Sequence, residues 1–308
     1  MEKGVKRMKK HVTVCLFVIT LIFPFGLFPQ ELDDLWDYQY DVPYVPTPYE
    51  VVNEMIKMAG VDKNDILYDL GCGDGRIVIT AVKNTGCRGI GIDINPVRIE
   101  ESENNAAEAG VKDRVKFLQK NLFDTDFSEA TVLTLYLLSS VNLELRPKIL
   151  RTLKPGTRVV SHDFSMKEWE ADEFKEVNMD HRTHDIYFWI VPANVSGTWK
   201  WDSSTGSGKN QYILELHQRF QKIEGSLNMD GSVVPIEHAE LEGDKIQFSV
   251  RRTLDGHAAQ MSFSGIVKGH SIQGTLKNET DRGAKTTPWT AERDPSTVMP
   301  IEGSDTRH

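Results

Sequence analysis

The chain has 308 residues, of which 39% are hydrophobic and 26% are charged, and this is the composition of an ordinary globular protein long enough for two domains. Its formal net charge of −9 argues against a protein that grips nucleic acid through the phosphates, because such proteins carry a basic surface. Cys15, Cys72 and Cys87 show no spacing typical of a disulfide framework or a zinc site, so we predict no metal.

A basic segment followed by an apolar one opens the chain. Residues 1–10 are rich in lysine and arginine, and residues 12–28 are almost wholly apolar. This layout is typical of a signal peptide or a membrane anchor, to which we assign residues 1–30, with membrane association through residues 11–28. Apart from Gly26, no small residue stands in register for cleavage, which favours an uncleaved anchor. We expect an anchored or exported protein, and the side of the membrane stays open.

Prolines give the next segment an extended conformation. Three prolines stand between residues 43 and 48, and we assign residues 31–46 to an extended linker. Thr47 is expected to cap the helix that follows, with Pro48 in its first turn. This helix is predicted to continue to about Ala59.

The stretch from Ile66 to Val82 is typical of a strand, a glycine-rich turn and a helix. Its glycines stand at positions 71, 73 and 75, two residues after Asp69, which gives D-x-G-x-G and not the G-x-G-x-x-G of dinucleotide-binding loops. A second strand ends in Asp93, whose carboxylate can accept hydrogen bonds from two ribose hydroxyls. The pattern favours a nucleoside site, and a turn without a ligand and an NAD site are the alternatives.

Strands and helices alternate through the middle of the chain. Strands are predicted at 66–70, 89–93, 115–119, 131–135, 157–161, 174–178 and 185–191, and helices at about 75–84, 96–109 and 141–153. Seven strands with alternating helices predict an α/β fold with a mostly parallel, Rossmann-like sheet covered on both faces. The last two strands form a hairpin, so one of them is antiparallel. We place this domain at residues 47–193.

The composition changes after Pro192, where short segments of alternating polarity are separated by glycine-containing turns. Some eight short strands predict a small all-β domain, a sandwich or a barrel, at residues 195–293. Its tryptophans are expected in the core, and it shows no catalytic cluster. Residues 294–308 are predicted to be a disordered tail.

The D-x-G-x-G pattern resembles motif I of the class I, seven-strand methyltransferases that use S-adenosyl-L-methionine (SAM). Together with V-P-Y-V-P-T at residues 42–47, it is similar to the mitochondrial protein-lysine methyltransferases of the ATP synthase c subunit and the adenine nucleotide carrier, and to bacterial proteins of the same build. The similarity covers residues 42–165. It implies SAM as cofactor and methyl transfer to an amine, on a protein lysine or a small molecule. The C-terminal β domain has no counterpart in those enzymes.

Cofactor-binding residues are expected where the strands of an open α/β sheet end. The pocket floor is assigned to Asp69, Gly71, Gly73 and Gly75, the ribose to Asp93, and the adenine to Ile94, Asn121 and Leu122. The resemblance implies that Tyr44, Pro46 and Thr47 fold over the cofactor as a lid. A rigid linker before the helix is the alternative for this last group.

Three candidate catalytic residues, Tyr136, His162 and Asp163, are expected at the same edge of the sheet. A lysine nucleophile must be neutral, and His162 is the one whose ordinary pKa suits proton acceptance near neutrality. A structural role for His162 is the alternative. A second function also stays open: a SAM-binding scaffold whose β domain binds a ligand or partner, without transferase activity. The oligomeric state is not predicted.

Overall fold

The computed structural model describes residues 44–179, 182–203, 210–254, 257–281 and 283–304. The predicted signal peptide or anchor and nearly all of the predicted linker lie outside these residues. Within the described ranges, no helix is both long and apolar enough to cross a membrane.

The first half of the described chain alternates helices with strands. The helices are α1 (Tyr49–Met58), α2 (Arg76–Thr85), α3 (Pro96–Glu108) and α4 (Ser139–Thr152), with a 3-10 turn at Lys112–Arg114. The strands are β1 (Ile66–Leu70), β2 (Arg88–Asp93), β3 (Val115–Gln119), β4 (Val132–Leu135), β5 (Arg158–His162), β6 (Glu173–Met179) and β7 (Arg182–Ile190). These bounds agree with the predicted elements to within about three residues at each end.

These seven strands form one sheet in the order β3-β2-β1-β4-β5-β7-β6. The first five pair in parallel, and β7 runs antiparallel to both β5 and β6. The sheet therefore has the predicted seven-strand architecture with its terminal hairpin. Strands β1 and β4 are buried almost throughout, as expected for parallel strands covered on both faces.

Helix α1 differs from its prediction at its first residue. Pro48 occupies the N-cap position and no side chain caps the helix, so the predicted Thr47 cap is wrong. The Thr47 hydroxyl is instead 3.1 Å from Nδ1 of His162, in the buried interior. A long-range partner thus replaces the local capping bond and ties the segment before α1 to the end of β5.

The second half of the described chain is an all-antiparallel sheet. Its strands are β8 (Gly197–Ser203), β9 (Asn210–Arg219), β10 (Lys222–Met229), β11 (Ser232–Pro235), β12 (Glu237–Glu242), β13 (Lys245–Leu254), β14 (His257–Lys268), β15 (Ser271–Thr280) and β16 (Gly283–Arg293). They follow the order β11-β10-β9-β8-β16-β15-β14-β13-β12. The two end strands, β11 and β12, are separated in the chain by Ile236 alone, and each also approaches the strand next to the other, β12 approaching β10 and β11 approaching β13. The sheet is therefore a nearly closed barrel, one of the two predicted forms.

The barrel has nine strands within the described residues, where the sequence predicts some eight. The predicted strand at 232–239 is divided into β11 and β12 at Ile236, because the chain changes its pairing there from β10 to β13. The core contains Trp199, Trp289 and the stacked rings of Phe248 and Phe263, whose centroids are 4.7 Å apart. The tryptophans fill the barrel as predicted.

The segment after Arg293 does not match the predicted disorder over residues 294–304. Its Asp294 N–H donates to Thr198 O at 2.9 Å, and Ile301 is buried. The Glu302 N–H donates to Gln218 O at 3.1 Å. Backbone hydrogen bonds and one buried apolar side chain therefore attach this segment to the barrel, and residues 305–308 lie outside the described residues.

The barrel contacts the α/β part through the loop that follows β5. Phe220 stacks on Trp169 with ring centroids 6.1 Å apart, and both rings are fully buried. The Gln221 amide donates to Glu170 O at 2.8 Å. These contacts give the two sheets a shared apolar boundary.

Candidate active site

Asp69 lies in β1 and is the most deeply buried acid of the site. Its Oδ1 accepts a 2.8 Å hydrogen bond from the Thr134 hydroxyl, whereas its buried Oδ2 has no partner among the described residues. Burial raises the pKa of this carboxyl to about 7, and the charges of Asp93 and Asp74 act in the same direction. A buried acceptor without a donor costs free energy, so Oδ2 marks the place where a ligand can supply one.

The three glycines that follow β1 have left-handed backbones, with φ of 78° at Gly71, 51° at Gly73 and 79° at Gly75. A Cβ at Gly71 would lie 2.7 Å from Cδ2 of Leu137. A Cβ at Gly73 would lie 2.5 Å from the Tyr44 ring. Both the conformation and the close neighbours therefore require glycine, and the loop presents bare backbone at the end of β1.

Asp93 joins the end of β2 to this loop. Its Oδ2 accepts from the Gly73 N–H and its Oδ1 from the Asn95 N–H, both at 2.9 Å. Burial raises the pKa of the Asp93 carboxyl, and the two N–H donors and the charge of Arg98 oppose this. Each oxygen keeps a second lone pair, so the carboxylate can still accept bonds from two ribose hydroxyls.

The residues predicted to hold the adenine differ in how they are presented. Ile94 follows Asp93 and is 47% exposed, so an apolar surface is open beside the ribose position. Leu122 is half-buried. Asn121 is exposed and its side-chain oxygen accepts from the Phe123 N–H at 2.9 Å, which leaves one lone pair for an adenine amino group.

The segment before α1 lies across the glycine loop. The half-buried Tyr44 ring covers Gly73, and the Arg98 guanidinium lies 4.2 Å from the centroid of this ring. Burial and the charge of Asp74 raise the pKa of Tyr44. Pro46, by contrast, is exposed. Tyr44 and Thr47 therefore face inward from this segment, and its role as a lid stays a prediction.

His162 stands at the end of β5 and is fully buried. Its Nδ1 is 3.1 Å from the Thr47 hydroxyl and its Nε2 is 2.8 Å from Nδ1 of His184. Burial lowers the pKa of His162, and the neighbouring His184 lowers it further. Since both ring nitrogens are engaged inside the protein, the geometry favours the structural role over direct proton acceptance from a substrate.

Tyr136 and Asp163 lie beside His162. The Tyr136 ring centroid is 3.9 Å from that of His162, and burial together with the charge of Asp163 raises the pKa of the phenol. The Asp163 carboxylate accepts from Arg182 Nη2 at 2.7 Å and from the Asp185 N–H at 3.0 Å. The structure thus brings all three predicted catalytic residues to one edge of the sheet.

Three residues of this region are absent from the predicted set: Thr134, Arg182 and His184. Thr134 lies in β4, which pairs in parallel with β1, and the register of this pairing alone places it beside Asp69. Arg182 and His184 belong to β7, whose antiparallel pairing with β5 sets Ile186 opposite His162. Arg182 and His184 could not be predicted because the sequence does not reveal the order of the strands in the sheet.

The hydrogen-bond acceptors and the apolar surface at the ends of β1 and β2 fit SAM. The unpartnered Asp69 oxygen can accept from the ammonium of the methionine part, and Asp93 can hold the ribose. The three glycines between them leave bare backbone beside the site, with the Tyr44 ring packed over Gly73, and Ile94 offers an apolar face at the adenine end. An acid-and-glycine loop and a neighbouring carboxylate therefore lie side by side, as a sulfonium nucleoside requires.

Comparison with known proteins gives consistent matches. Residues 69–173 match the family model described as the ANTKMT methyltransferase domain. A protein-lysine N-methyltransferase of Saccharolobus islandicus is 46% identical over 155 residues, which are 50% of this chain and 96% of that protein. The Homo sapiens lysine N-methyltransferase of the ATP synthase c subunit is 26% identical over 170 residues, 55% of this chain and 65% of that protein.

Among solved structures, an RNA methyltransferase from Salinibacter ruber in complex with S-adenosyl-L-homocysteine is similar to part of the chain. It is 51% identical, covers 49% of this chain and 96% of its own, and has a TM-score of 0.46. The family follows from the S. islandicus protein, which is matched over nearly its whole length. The chain belongs to the class I SAM-dependent methyltransferases, in the family of that protein-lysine N-methyltransferase.

Proposed function

We propose that this protein transfers a methyl group from SAM to the side-chain amine of a lysine in a protein substrate. Methyl transfer and the cofactor follow from the family. The choice of lysine is supported by the names of two relatives, a protein-lysine N-methyltransferase and a lysine N-methyltransferase of the ATP synthase c subunit. The structural observation that carries the proposal is the buried, unpartnered oxygen of Asp69 beside the glycine loop.

Cofactor binding is assigned to the residues that line the ends of β1 and β2. Asp69 Oδ2 accepts from the ammonium of the methionine part, and Asp93 accepts from the ribose hydroxyls. Ile94 and Leu122 contact the adenine, and the remaining lone pair of the Asn121 oxygen accepts from its amino group. The Tyr44 segment covers the bound cofactor and excludes water from it.

When bound, the cofactor supplies a methyl group that is activated by its attachment to a positively charged sulfur. The lysine nitrogen forms the new bond with this carbon while the carbon–sulfur bond breaks and its electron pair stays on sulfur. The protein contributes mainly alignment, which is worth about 7–11 kcal/mol of the barrier in well-oriented reactions. Before the bond forms, the lysine ammonium must release its proton to solvent, because an ammonium has no free electron pair, and the methylated product then carries the positive charge that leaves the sulfur.

The acceptor side of the site is assigned to Tyr136 and Asp163. The Asp163 carboxylate attracts the incoming lysine ammonium, and the Tyr136 hydroxyl lies in the same group of polar side chains. His162 acts as a positioning residue, because it holds Thr47 and so fixes the covering segment against the sheet.

The test incubates the full chain with SAM labelled in the methyl group and with cell extract, then counts label in the protein and RNA fractions separately. We expect label in protein and none above background in RNA, since a net charge of −9 disfavours a nucleic-acid substrate. Asp69→Asn should lower the signal about tenfold or more at low SAM concentration, whereas the exposed control Asp113→Asn should keep it. Label in RNA alone would overturn the assignment, and SAM binding without any labelling would favour the scaffold alternative.

We also propose that residues 11–28 attach the protein to a membrane. Support comes from the basic segment at 1–10 that precedes this apolar stretch. The full chain should sediment with membranes, and a chain starting at residue 31 should not. A reporter fused after His308 then identifies the side of the membrane, and recovery of both chains in the soluble fraction would refute the proposal.

A further inference from the structure

Two histidines and one aspartate meet at the ends of β5 and β7. His162 Nε2 is 2.8 Å from His184 Nδ1, and Asp163 Oδ1 is 3.5 Å from His162 Nε2. Asp163 Oδ2 is 3.7 Å from His184 Nδ1. Each of the three residues offers one ligand atom, and these atoms all lie within 4.8 Å of one another.

These separations suit a common metal ion. Nitrogen or oxygen ligands about 2.1 Å from one ion lie about 3.0 Å apart at right angles and about 3.4 Å apart in a tetrahedron. The 2.8 Å between the two histidine nitrogens is just below this range. The shortest distances to Asp163, 3.5 Å from Oδ1 to His162 and 3.7 Å from Oδ2 to His184, are just above it and involve two different oxygens. Binding through one oxygen therefore requires a rotation of the carboxylate together with a small shift of the histidine rings.

The residues behind the cluster orient its members. Thr47 Oγ1 is 3.1 Å from His162 Nδ1 and so directs Nε2 of that ring toward His184 and Asp163. Metal-binding histidines usually make such a bond with their second nitrogen. The Asp185 N–H holds the Asp163 carboxylate, and Asp163 itself has a left-handed backbone with φ of 59°. This strained backbone turns the carboxylate of the residue next to His162 back toward both rings.

We propose that His162, His184 and Asp163 bind a divalent first-row transition-metal ion. Two imidazoles and one carboxylate are a ligand set that such ions favour, and three protein ligands leave further positions open. In the bound form, His162 donates from Nδ1 to Thr47, and His184 carries its proton on Nε2. Each ring then carries one proton, as a neutral imidazole does in the metal-free protein. The hydrogen bond between the two rings is replaced by one bond from each ring to the ion, and no proton is released.

Arg182 is the charged group that competes for this carboxylate. Its Nη2 is 2.7 Å from Asp163 Oδ2, but more than half of its side chain is exposed, so it can move into solvent when an ion binds. The cluster shares no residue with the glycine loop. Asp163 and His162 do belong to the acceptor side proposed above, so a bound ion would lie where the substrate lysine is expected to enter. Direct measurement of ion binding separates this proposal from methyl transfer, because it needs neither SAM nor a substrate.

The test titrates Co²⁺ into the full chain after treatment with a chelator, and follows the visible absorption of the ion. We expect binding at one ion per chain and displacement by Zn²⁺, which binds nitrogen and oxygen ligands more tightly. Added ion should also raise the unfolding temperature, because it binds the folded chain.

Variants locate the ion. His184→Gln and Asp163→Asn should abolish the absorption bands, and Thr47→Val, which removes only the orienting bond, should weaken Co²⁺ binding about 10–100-fold. The matched control is His217→Gln, which removes an exposed histidine of β9 and should bind as the wild type does. Circular dichroism confirms that each variant is folded. Absence of bands in the wild type, or equal bands in folded His184→Gln, would overturn the proposal.

Discussion

At the scale of single residues, the buried acid Asp69 determines how the site responds to pH. Asp69 keeps its proton in the cofactor-free protein up to about pH 7, whereas an exposed aspartate loses it near pH 3.8. Between these values the folded chain binds more protons than the unfolded chain does. The contribution of Asp69 to stability is therefore complete below about pH 4 and is lost as the pH rises toward 7.

The same acid predicts a pH-dependent cofactor affinity. The ammonium of SAM favours ionised Asp69, so affinity should rise about tenfold per pH unit below pH 7 and level off above it. Calorimetry between pH 5.5 and 8, in two buffers that differ in ionisation enthalpy, measures the affinity and the released proton. Asp69→Asn should bind more weakly by about 1.5–3 kcal/mol and lose the slope. A flat profile in the wild type would show that Asp69 does not meet the ammonium.

A second residue-scale prediction concerns Gly73. Gly73→Ala places a methyl group 2.5 Å from the Tyr44 ring at a left-handed backbone, so it should displace the ring and weaken SAM binding. Gly110→Ala is the matched control, because Gly110 has a similar φ of 71° and open space around it. The control should lose only about 1–2 kcal/mol of stability and no affinity. Calorimetry and thermal unfolding compare the two, and equal affinities would refute the contact.

At the scale of elements, the alternation of apolar strands and helices predicted the seven-strand sheet, including its terminal hairpin. Long-range partners could not be predicted in this way. Thr47 follows the local pattern of a helix cap, yet its hydroxyl contacts His162, 115 residues away. His184 was overlooked because only the order of strands places β7 beside β5.

The residues of the glycine-rich loop were also easier to predict from the sequence than the number of strands in the barrel. The glycines and Asp93 were identified because their residue types and spacing carry the signal. The barrel was predicted with some eight strands because the continuous alternation at 232–239 does not reveal that its two halves pair with different strands. The exposure of Asn121 and its bond to the Phe123 N–H depend on a turn that composition does not reveal.

At the element scale, Thr134 in β4 lowers the pKa of Asp69 in the neighbouring strand β1. Thr134→Val removes the hydroxyl that donates to Asp69 Oδ1, a bond that lowers the pKa of this acid. We therefore expect the pH at which SAM affinity levels off to move above 7. Thr85→Val, which removes a hydroxyl bonded to a backbone carbonyl of α2, is the control and should leave the profile unchanged. An unshifted profile in Thr134→Val would show that the bond does not act on the acid.

At the scale of the whole molecule, the barrel and the α/β sheet share the Trp169–Phe220 contact. Phe220→Ala removes a fully buried ring and should lower the free energy of unfolding by about 3–5 kcal/mol. Phe174→Ala is the matched control, since this ring is 53% exposed, and it should cost far less. Denaturant titration measures both. Similar losses would show that the boundary between the sheets contributes little to stability.

Methyl transfer from SAM to a lysine of a protein is the activity that we propose for this protein. Its most direct test incubates the full chain with trideuteromethyl SAM and cell extract, and locates the label by peptide mass spectrometry. We expect trideuteromethyl groups on lysine side chains with the wild type and about tenfold fewer, or less, with Asp69→Asn at low SAM concentration. Label confined to other residue types, or equal lysine labelling by both chains, would contradict it.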